Sequence, residues 1–226
     1  MIRVGTSGFS YDEWKGSFYP DDLASSKYLS FYAETFQTTE INNTFYRIPS
    51  TKLTTRWADQ VKADFRFTLK LSQRITHKKR LKEVDEEMSW FINGIAPLEG
   101  RLGCILVQLP PWQRQDLDTL EPFLNSYASN FKLALEFRHD SWFQQETYEL
   151  LSEKGAALVT AETADNPGHR ELTAGFTYLR LRKGSYSDQE LEDWASWVKE
   201  NGRETFVYFK HELDAPMLAR RFKELL

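Results

Sequence analysis

A chain of 226 residues, 41% of them hydrophobic, is long enough to bury a substantial core within one domain. Its 29 basic and 33 acidic side chains give a formal net charge of −4, which excludes a general electrostatic attraction to nucleic acid or anionic membranes. The single cysteine, Cys104, excludes a disulfide framework and a cysteine zinc site, and no apolar leader follows Met1. We therefore expect a cytoplasmic protein with no membrane partner.

Short apolar runs alternate along the chain with segments that have helical spacing. This alternation predicts a parallel sheet built from β/α units. Eight such runs, with a last helix over residues 215–226, favour an α/β fold, an eight-stranded parallel β/α (TIM) barrel formed by residues 1–226 as a single domain. The predicted strands cover residues 2–6, 38–42, 65–70, 104–109, 133–137, 156–161, 177–182 and 205–210.

Two signals in the second half of the chain concern its helices. Ser187 and Glu190 have the spacing of a capping box at the start of a helix, and Gly202 is placed to end that helix. Residues 162–175 have no helical spacing and contain the turn-forming residues Asp165-Asn166-Pro167-Gly168. The sixth helix of the barrel is therefore predicted to be shortened or replaced by a loop.

Polar side chains lie in phase near the C-terminal ends of several predicted strands. Residues two apart in a strand point to the same face, so the phase can be obtained from the sequence. The C-terminal end of the strands is where β/α barrels carry their active sites. The side chains predicted to point into the barrel there are Glu40, Asn42, Thr68, Lys70, Gln108, Glu136, Arg138, Arg180, Arg182 and Lys210.

Five of these predicted inward residues are cationic and two are carboxylates. Burying an unpaired charge is costly, so the charges must pair with one another, bind water or contact a ligand. Pairing alone could fill the upper barrel, with Glu136 beside Arg138 or Arg180 and Glu40 beside Lys70. The excess of cations favours the other interpretation, an anionic ligand such as a phosphate or carboxylate.

Aromatic and basic residues are concentrated in the predicted loops after the strands. Aromatic rings stack on sugars and bases, although the same rings could instead cap the barrel. We expect Tyr46 and Trp142 to stack against a ligand. The basic run at residues 78–82 is either a solvated loop or an anion-contacting loop above the mouth. The loop aromatics are Phe9, Tyr11, Trp14, Phe18, Tyr19, Phe45, Tyr46, Trp112 and Trp142.

These residues predict a hydrolase or lyase acting on a phosphate-bearing, nucleotide-like or sugar-like substrate. Glu136 or Glu40 would be the general acid or base. A glycosidase is a narrower variant, which requires a set separation between the two carboxylates. The other class of function is a non-enzymatic binder of a small anion or of nucleic acid, and nucleic acid is less favoured. The residues predicted to hold and orient the ligand are Lys70, Arg138, Arg180, Lys210, Asn42 and Gln108.

No cofactor is predicted, because the chain contains neither a dinucleotide-binding fingerprint nor a phosphate-loop motif. A divalent metal ion stays open, as does the oligomeric state. For the four histidines a hydrogen-bonding role is favoured over metal ligation, which argues against a metal-dependent phosphodiesterase. They are His77, His139, His169 and His211.

Several sequence motifs occur in order along nearly the whole chain. They include Gly5-Thr6-Ser7-Gly8-Phe9-Ser10-Tyr11, Glu40-Ile41-Asn42-Asn43-Thr44-Phe45-Tyr46, Gln108-Leu109-Pro110-Pro111 and Glu136-Phe137-Arg138-His139. In these motifs the chain resembles the YecE-like family, domain of unknown function 72. The resemblance implies an eight-stranded β/α barrel and implies no reaction. At the last strand much of that family has a Phe-Asn-Asn pattern, whereas this chain has Phe209-Lys210-His211.

Overall fold

The computed structural model describes residues 1–210 and 213–226. In these residues eight parallel strands form one sheet in the order β1-β8-β7-β6-β5-β4-β3-β2. The predicted barrel strands are confirmed, with ends that differ by one or two residues because terminal residues leave the hydrogen-bonded ladder. The strands are β1 (Ile2–Thr6), β2 (Thr38–Ile41), β3 (Arg66–Lys70), β4 (Leu102–Gln108), β5 (Leu133–Glu136), β6 (Ala157–Glu162), β7 (Phe176–Leu181) and β8 (Glu204–Phe209).

Helices follow the strands and cover the outside of the barrel. The predicted capping box is present: Ser187 Oγ accepts a hydrogen bond from the Glu190 amide, and the Glu190 carboxylate accepts one from the Ser187 amide. No helix lies between β6 and β7 in the described chain, which confirms the predicted loop. The helices are α1 (Tyr28–Thr35), α2 (Thr51–Asp59), α3 (Asp85–Ile95), α4 (Leu117–Tyr127), α5 (Gln145–Glu153), α6 (Asp188–Glu200) and α7 (Ala215–Glu224).

Two apolar clusters hold the barrel together. The larger one contains helix residues such as Phe91 and Trp194 together with strand residues such as Leu69, so it lies between the strands and the helices. The smaller one contains Leu106 and Tyr208 and fills the interior of the barrel. The buried ionic side chains Glu40, Glu136 and Arg180 lie near the C-terminal ends of their strands.

The barrel closes between β1 and β2 through few contacts. A single parallel bridge joins Ser7 to Glu40. The hydroxyl of Tyr32 lies between the two strands: the Thr6 amide donates to Tyr32 Oη at 2.8 Å, and Tyr32 Oη donates to the Thr38 carbonyl at 3.1 Å. This closure places Ser7 beside Glu40 at the mouth of the barrel.

Gly5 is required at this closure by close packing. A Cβ atom at residue 5 would lie 2.1 Å from the Thr38 carbonyl oxygen and 2.9 Å from Tyr32 Oη. We expect Gly5→Ala to lower the free energy of unfolding by about 3 kcal/mol, because the backbone of β2 would have to move. Chemical denaturation measures this, with Gly175→Ala as the control, since an added Cβ there meets no atom within 4 Å. Equal stability of both variants would contradict the close packing of β1 on β2.

No helix among the residues that the structure describes is both long enough and apolar enough to cross a membrane.

Candidate functional site at the barrel mouth

The guanidinium of Arg180 links two buried carboxylates at the centre of the mouth. Arg180 Nη1 donates to Glu136 Oε2 at 2.5 Å, and Nη2 donates to Glu40 Oε1 at 2.7 Å. All three side chains are buried. They come from β7, β5 and β2, so the predicted convergence of residues from separate strands occurs in the fold.

Glu40 is hydrogen-bonded on both of its oxygens. Its Oε1 accepts from Ser7 Oγ at 2.8 Å and from Asn42 Nδ2 at 2.9 Å, in addition to Arg180. Its Oε2 accepts from the hydroxyl of Tyr178 at 2.6 Å. Four donors therefore hold this carboxylate in a fixed position, with no carboxylate oxygen left without a donor.

Glu136 continues the network toward Lys70. Its Oε1 accepts from Gln108 Nε2 at 2.7 Å and from Arg138 Nε at 3.3 Å. Gln108 Oε1 in turn accepts from Lys70 Nζ at 2.7 Å. A direct pairing of Glu40 with Lys70 was one interpretation of the sequence. The structure instead pairs Glu40 with Arg180 and Lys70 with Gln108.

The cations keep both carboxylates ionised. Burial raises the pKa of Glu136, but the charges of Arg180 and Arg138 outweigh burial and hold that pKa at about 2. Burial acts in the same direction on Glu40, and Arg180 again brings its pKa below the ordinary value. A carboxylate with such a pKa is a poor general acid near pH 7, because it carries almost no proton there.

Lys70 and Arg182 have environments that disfavour their positive charge. Burial, reinforced by the charge of Arg180, lowers the pKa of Lys70 to about 8. Burial and Arg180 also lower the pKa of Arg182. The Arg138 side chain is 38% exposed, so it lies at the boundary between the network and solvent.

Four predicted ligand-contacting residues differ in accessibility. Asn42 and Lys210 are half-buried, and Tyr46 is 74% exposed beside Phe45. Trp142 was expected to stack on a ligand, but it is only 1% exposed. Its ring lies flat against Phe137 with centroids 4.3 Å apart, and its Nε1 donates to a backbone carbonyl. Trp142 therefore has no free face for stacking in this structure.

Most of the aromatic residues of the first loop belong to the core. Trp14, Phe18 and Tyr19 are buried, and Tyr19 stacks on Tyr28 with ring centroids 4.2 Å apart. Because these rings pack against α1, they cap the barrel and do not face a ligand. Trp112 is exposed and lies under the guanidinium of Arg80.

Two of the four cations in the basic run at residues 78–82 form salt bridges with acidic neighbours. Lys79 Nζ lies 2.9 Å from a Glu87 carboxylate oxygen, and Lys82 Nζ lies 3.3 Å from Asp116 Oδ2. These contacts favour the interpretation of this run as a solvated loop.

The described histidines have partners other than a metal site. His77 Nδ1 lies 2.9 Å from Thr76 Oγ1, His139 Nδ1 accepts from the Ser141 amide, and His169 stacks on Phe143. Across residues 1–210 and 213–226, no three His, Cys, Asp or Glu side chains are grouped as metal ligands. His211 lies outside the described residues.

Two residues of the site, Ser7 and Tyr178, were not singled out from the sequence, and Phe45 was named only among the loop aromatics. Ser7 and Tyr178 donate to Glu40, and Phe45 places its ring 4.2 Å from Lys70 Nζ. Tyr178 could have been found, since it lies two residues before Arg180 and shares its face of β7. Ser7 and Phe45 lie beyond their strands, where alternation no longer indicates direction.

A cavity of about 520 Å³ lies beside the network, between the segment after β1, the end of β2 and the helices α1 and α2. Asn42 lines this cavity and also donates to Glu40, so it connects the two. The cavity wall includes Phe9 and Trp57 together with hydroxyl and amide groups such as those of Ser10 and Asn43. Mixed aromatic and polar walls of this kind are typical of small-molecule sites.

Sequence comparisons place the chain among known proteins. A family model described as "Protein of unknown function DUF72" matches residues 3–226. The UPF0759 protein YecE of Escherichia coli K12 is 30% identical over 156 residues, covering 69% of this chain and 55% of YecE, so the chain matches about half of that relative. The UPF0759 protein YunF of Bacillus subtilis is 24% identical, covering 100% of this chain and 95% of YunF.

Structural comparison agrees with the sequence comparison. The crystal structure of a DUF72 family protein from Thermotoga maritima is 32% identical with a TM-score of 0.87, covering 100% of this chain and 98% of that one. A DUF72 family protein from Enterococcus faecalis is 22% identical with a TM-score of 0.80, covering 100% and 97%, and at that identity it supports the fold alone. The resemblance found in the motifs is thereby confirmed: the chain belongs to the DUF72 family.

Proposed function

We propose that the mouth of the barrel binds a substrate with a phosphate group on a sugar-like or nucleotide-like body, and that the protein is a hydrolase or lyase acting on it. The observation that carries this proposal is the charge balance of the network. Four cationic side chains surround two carboxylates, and a single arginine pairs with both carboxylates. The cations are Lys70, Arg138, Arg180 and Arg182.

The excess positive charge is placed where a ligand could contact it. Arg138 is partly exposed, and Lys70 and Arg182 are half-buried, whereas Arg180 is buried among its partners. Arg138, Lys70 and Arg182 would therefore bind the anion, since charged donors form strong hydrogen bonds with phosphate oxygens. Arg180 would act through the carboxylates that it positions. Lys210, also half-buried, is a further candidate at the end of β8.

The body of the substrate would occupy the neighbouring cavity. Asn42 would contact both parts, because it borders the cavity and donates to Glu40. Hydroxyl and amide groups in the wall suit the hydroxyls of a sugar, and the aromatic rings suit its apolar face.

One N–H of Arg180, Nε, is buried without a hydrogen-bond partner in the described residues. An unmet buried donor is unfavourable, which supports a polar occupant nearby.

The acid and base roles follow from the state of the ionisable groups. Glu136 and Glu40 are held as anions by Arg180, so we assign them the task of fixing the cations in place. Lys70 has the pKa nearest to neutrality in the network, at about 8, and is the better candidate for moving a proton. The alternative function, a binder of small anions without turnover, uses the same cations and differs only in the absence of product.

Calorimetry with matched ligands tests the anion site. We expect ribose 5-phosphate and adenosine monophosphate to bind, and ribose and adenosine to bind at least tenfold more weakly. Arg138→Met should weaken phosphate binding about tenfold or more, since a hydrogen bond to a charged group contributes roughly 1.5–3 kcal/mol. Lys82→Met is the matched control, because Lys82 is exposed and paired with Asp116.

Two results would contradict the proposed anion site, and a product assay would distinguish the enzyme from the binder. Equal affinities for ribose and ribose 5-phosphate, or an unchanged affinity in the Arg138 variant, would contradict an anion site at the mouth. Release of inorganic phosphate, base or sugar from the bound compounds separates the enzyme from the binder, and its absence across phosphorylated sugars and nucleotides would favour the binder.

A further inference from the structure

The amine of Lys70 is held in an unusual position for a lysine. It lies at the end of β3, with Nζ 2.7 Å from Gln108 Oε1 and 4.2 Å from the centroid of the Phe45 ring. Within the described chain, no carboxylate oxygen lies within ion-pair distance of Nζ. The backbone of Lys70 is fixed as well, because Thr44 Oγ1 donates to its carbonyl at 2.7 Å. The amine is therefore positioned by a neutral amide and an aromatic ring.

Burial is the largest influence on the pKa of Lys70, and it favours the neutral amine. Arg180 and Arg138 oppose the ammonium form, while the nearest carboxylates, Glu136 and Glu40, favour it but are themselves bonded to Arg180. Burial adds to the effect of the arginines, and the resulting pKa of about 8 leaves about a tenth of the amine neutral at pH 7. Desolvation and adjacent cations are the two means by which proteins make a lysine nucleophilic.

We propose that Lys70 forms an imine with aldehydes or ketones that bear a phosphate or carboxylate group, the anion being held by Arg138 and Arg182. This inference rests on the proposed anion site and assigns the protein to lyase chemistry on anionic carbonyl compounds. An arginine that binds the phosphate would bring the carbonyl carbon to the amine of Lys70. Holding the two reacting groups close together in this way can lower the activation free energy substantially.

The step is balanced in atoms and charge. The ammonium form of Lys70 loses one proton to solvent, and the lone pair on Nζ then forms a bond to the carbonyl carbon while the C–O π bond breaks. The oxygen takes up a proton and, after a second proton transfer from nitrogen to oxygen, leaves as water when the C=N bond forms. The net change is one ammonium and one carbonyl giving one iminium and one water. The positive charge stays on nitrogen, beside Gln108 and Phe45.

Trapping with a reducing agent tests the imine. The full chain is incubated with glycolaldehyde phosphate and cyanoborohydride, and the labelled lysines are identified by peptide mass spectrometry. We expect Lys70 to be labelled at least tenfold faster than Lys52 and Lys199, two exposed lysines on α2 and α6. With glycolaldehyde, which lacks the phosphate, most of the preference for labelling Lys70 should disappear. In the Arg138→Met variant the preference should also disappear with glycolaldehyde phosphate.

Three outcomes separate the imine from the anion site. Preferential, phosphate-dependent labelling of Lys70, absent in Lys70→Arg, supports the inference. Equal labelling of Lys52, Lys70 and Lys199 would overturn imine formation at Lys70. If glycolaldehyde phosphate nevertheless binds in calorimetry of the same sample, the anion site is present without the imine. No labelling preference and no binding would overturn both. The decisive comparison uses the unaltered protein, so a variant that fails to fold does not affect it.

Discussion

Replacement of Arg180 by methionine is expected to lower the free energy of unfolding by about 3–5 kcal/mol, the cost of breaking a buried ion pair from one side. The side chain bridges Glu136 and Glu40, and both carboxylates are buried. Methionine fills similar space but supplies no charge and no donor. Two anions would then remain in the barrel with only hydrogen bonds and more distant cations to stabilise them.

The pH dependence of this variant distinguishes a lost ion pair from poor packing. In the unaltered protein the pKa of Glu136 is about 2, below its ordinary value of 4.5, so its contribution to stability is present above pH 4.5 and is lost as the pH falls toward 2. Without Arg180, burial dominates and raises the pKa of both carboxylates above the ordinary value. The variant should therefore recover part of its lost stability as the pH falls from 7 to 4.5.

Arg182→Met is the matched control for Arg180→Met. Arg182 is two residues away on the same face of the chain, is half-buried, and has no carboxylate within ion-pair distance among the described residues. We expect its replacement to cost less than about 1 kcal/mol. Urea denaturation of the three proteins at pH 7 and pH 4.5 makes the comparison. Similar losses in both variants, independent of pH, would show that Arg180 acts only by packing.

Glu136→Gln should lower the free energy of unfolding by about 2–3 kcal/mol. Arg180 keeps Glu40 as a partner, so the loss is a charged hydrogen bond and not a complete ion pair. Glu136 also favours the ammonium form of Lys70, so its neutralisation should move the pKa of Lys70 below 8. Phosphate affinity should rise, because the mouth gains one net positive charge.

Denaturation together with an NMR titration of labelled lysine side chains measures both effects. Glu153→Gln serves as the control: Glu153 is exposed and pairs with Lys154 at the surface, so stability and the Lys70 titration should not change measurably. A Lys70 pKa that stays at 8 or rises in the Glu136 variant would disprove the coupling between the two groups. Weaker phosphate binding in that variant would count against a site defined by its excess of cations.

The central network could be predicted from the sequence to a useful extent. Alternation in a strand is a property of the backbone, so the inward direction of Glu40, Glu136 and Arg180 followed once the strands were identified. Both partners considered for Glu136 from the sequence, Arg138 and Arg180, contact it in the structure. The pairing of Glu40 with Arg180 could not be predicted, because it depends on which strands are neighbours around a closed barrel. Glu40 on β2 and Arg180 on β7 are separated by β1 and β8 in the sheet, yet they are in contact across the interior.

The directions of loop side chains could not be predicted from strand alternation. Trp142 follows β5 within a short helical turn, and the turn directs its ring onto Phe137 in the interior of the protein. The closure by Tyr32 between β1 and β2 also has no periodic signal, since it depends on one hydroxyl that lies between two backbones. Such positions are determined by tertiary packing and could be found only from the folded chain.

The position at which an oxyanion binds is a direct test of the proposed anion site at the barrel mouth. Crystals soaked in tungstate, a phosphate analogue with a strong anomalous signal, would show where such an ion binds. We expect an anomalous peak at the barrel mouth, within hydrogen-bond distance of Arg138 and Lys70. Peaks confined to surface sites such as the basic run at residues 78–82, with none at the mouth, would contradict the anion site.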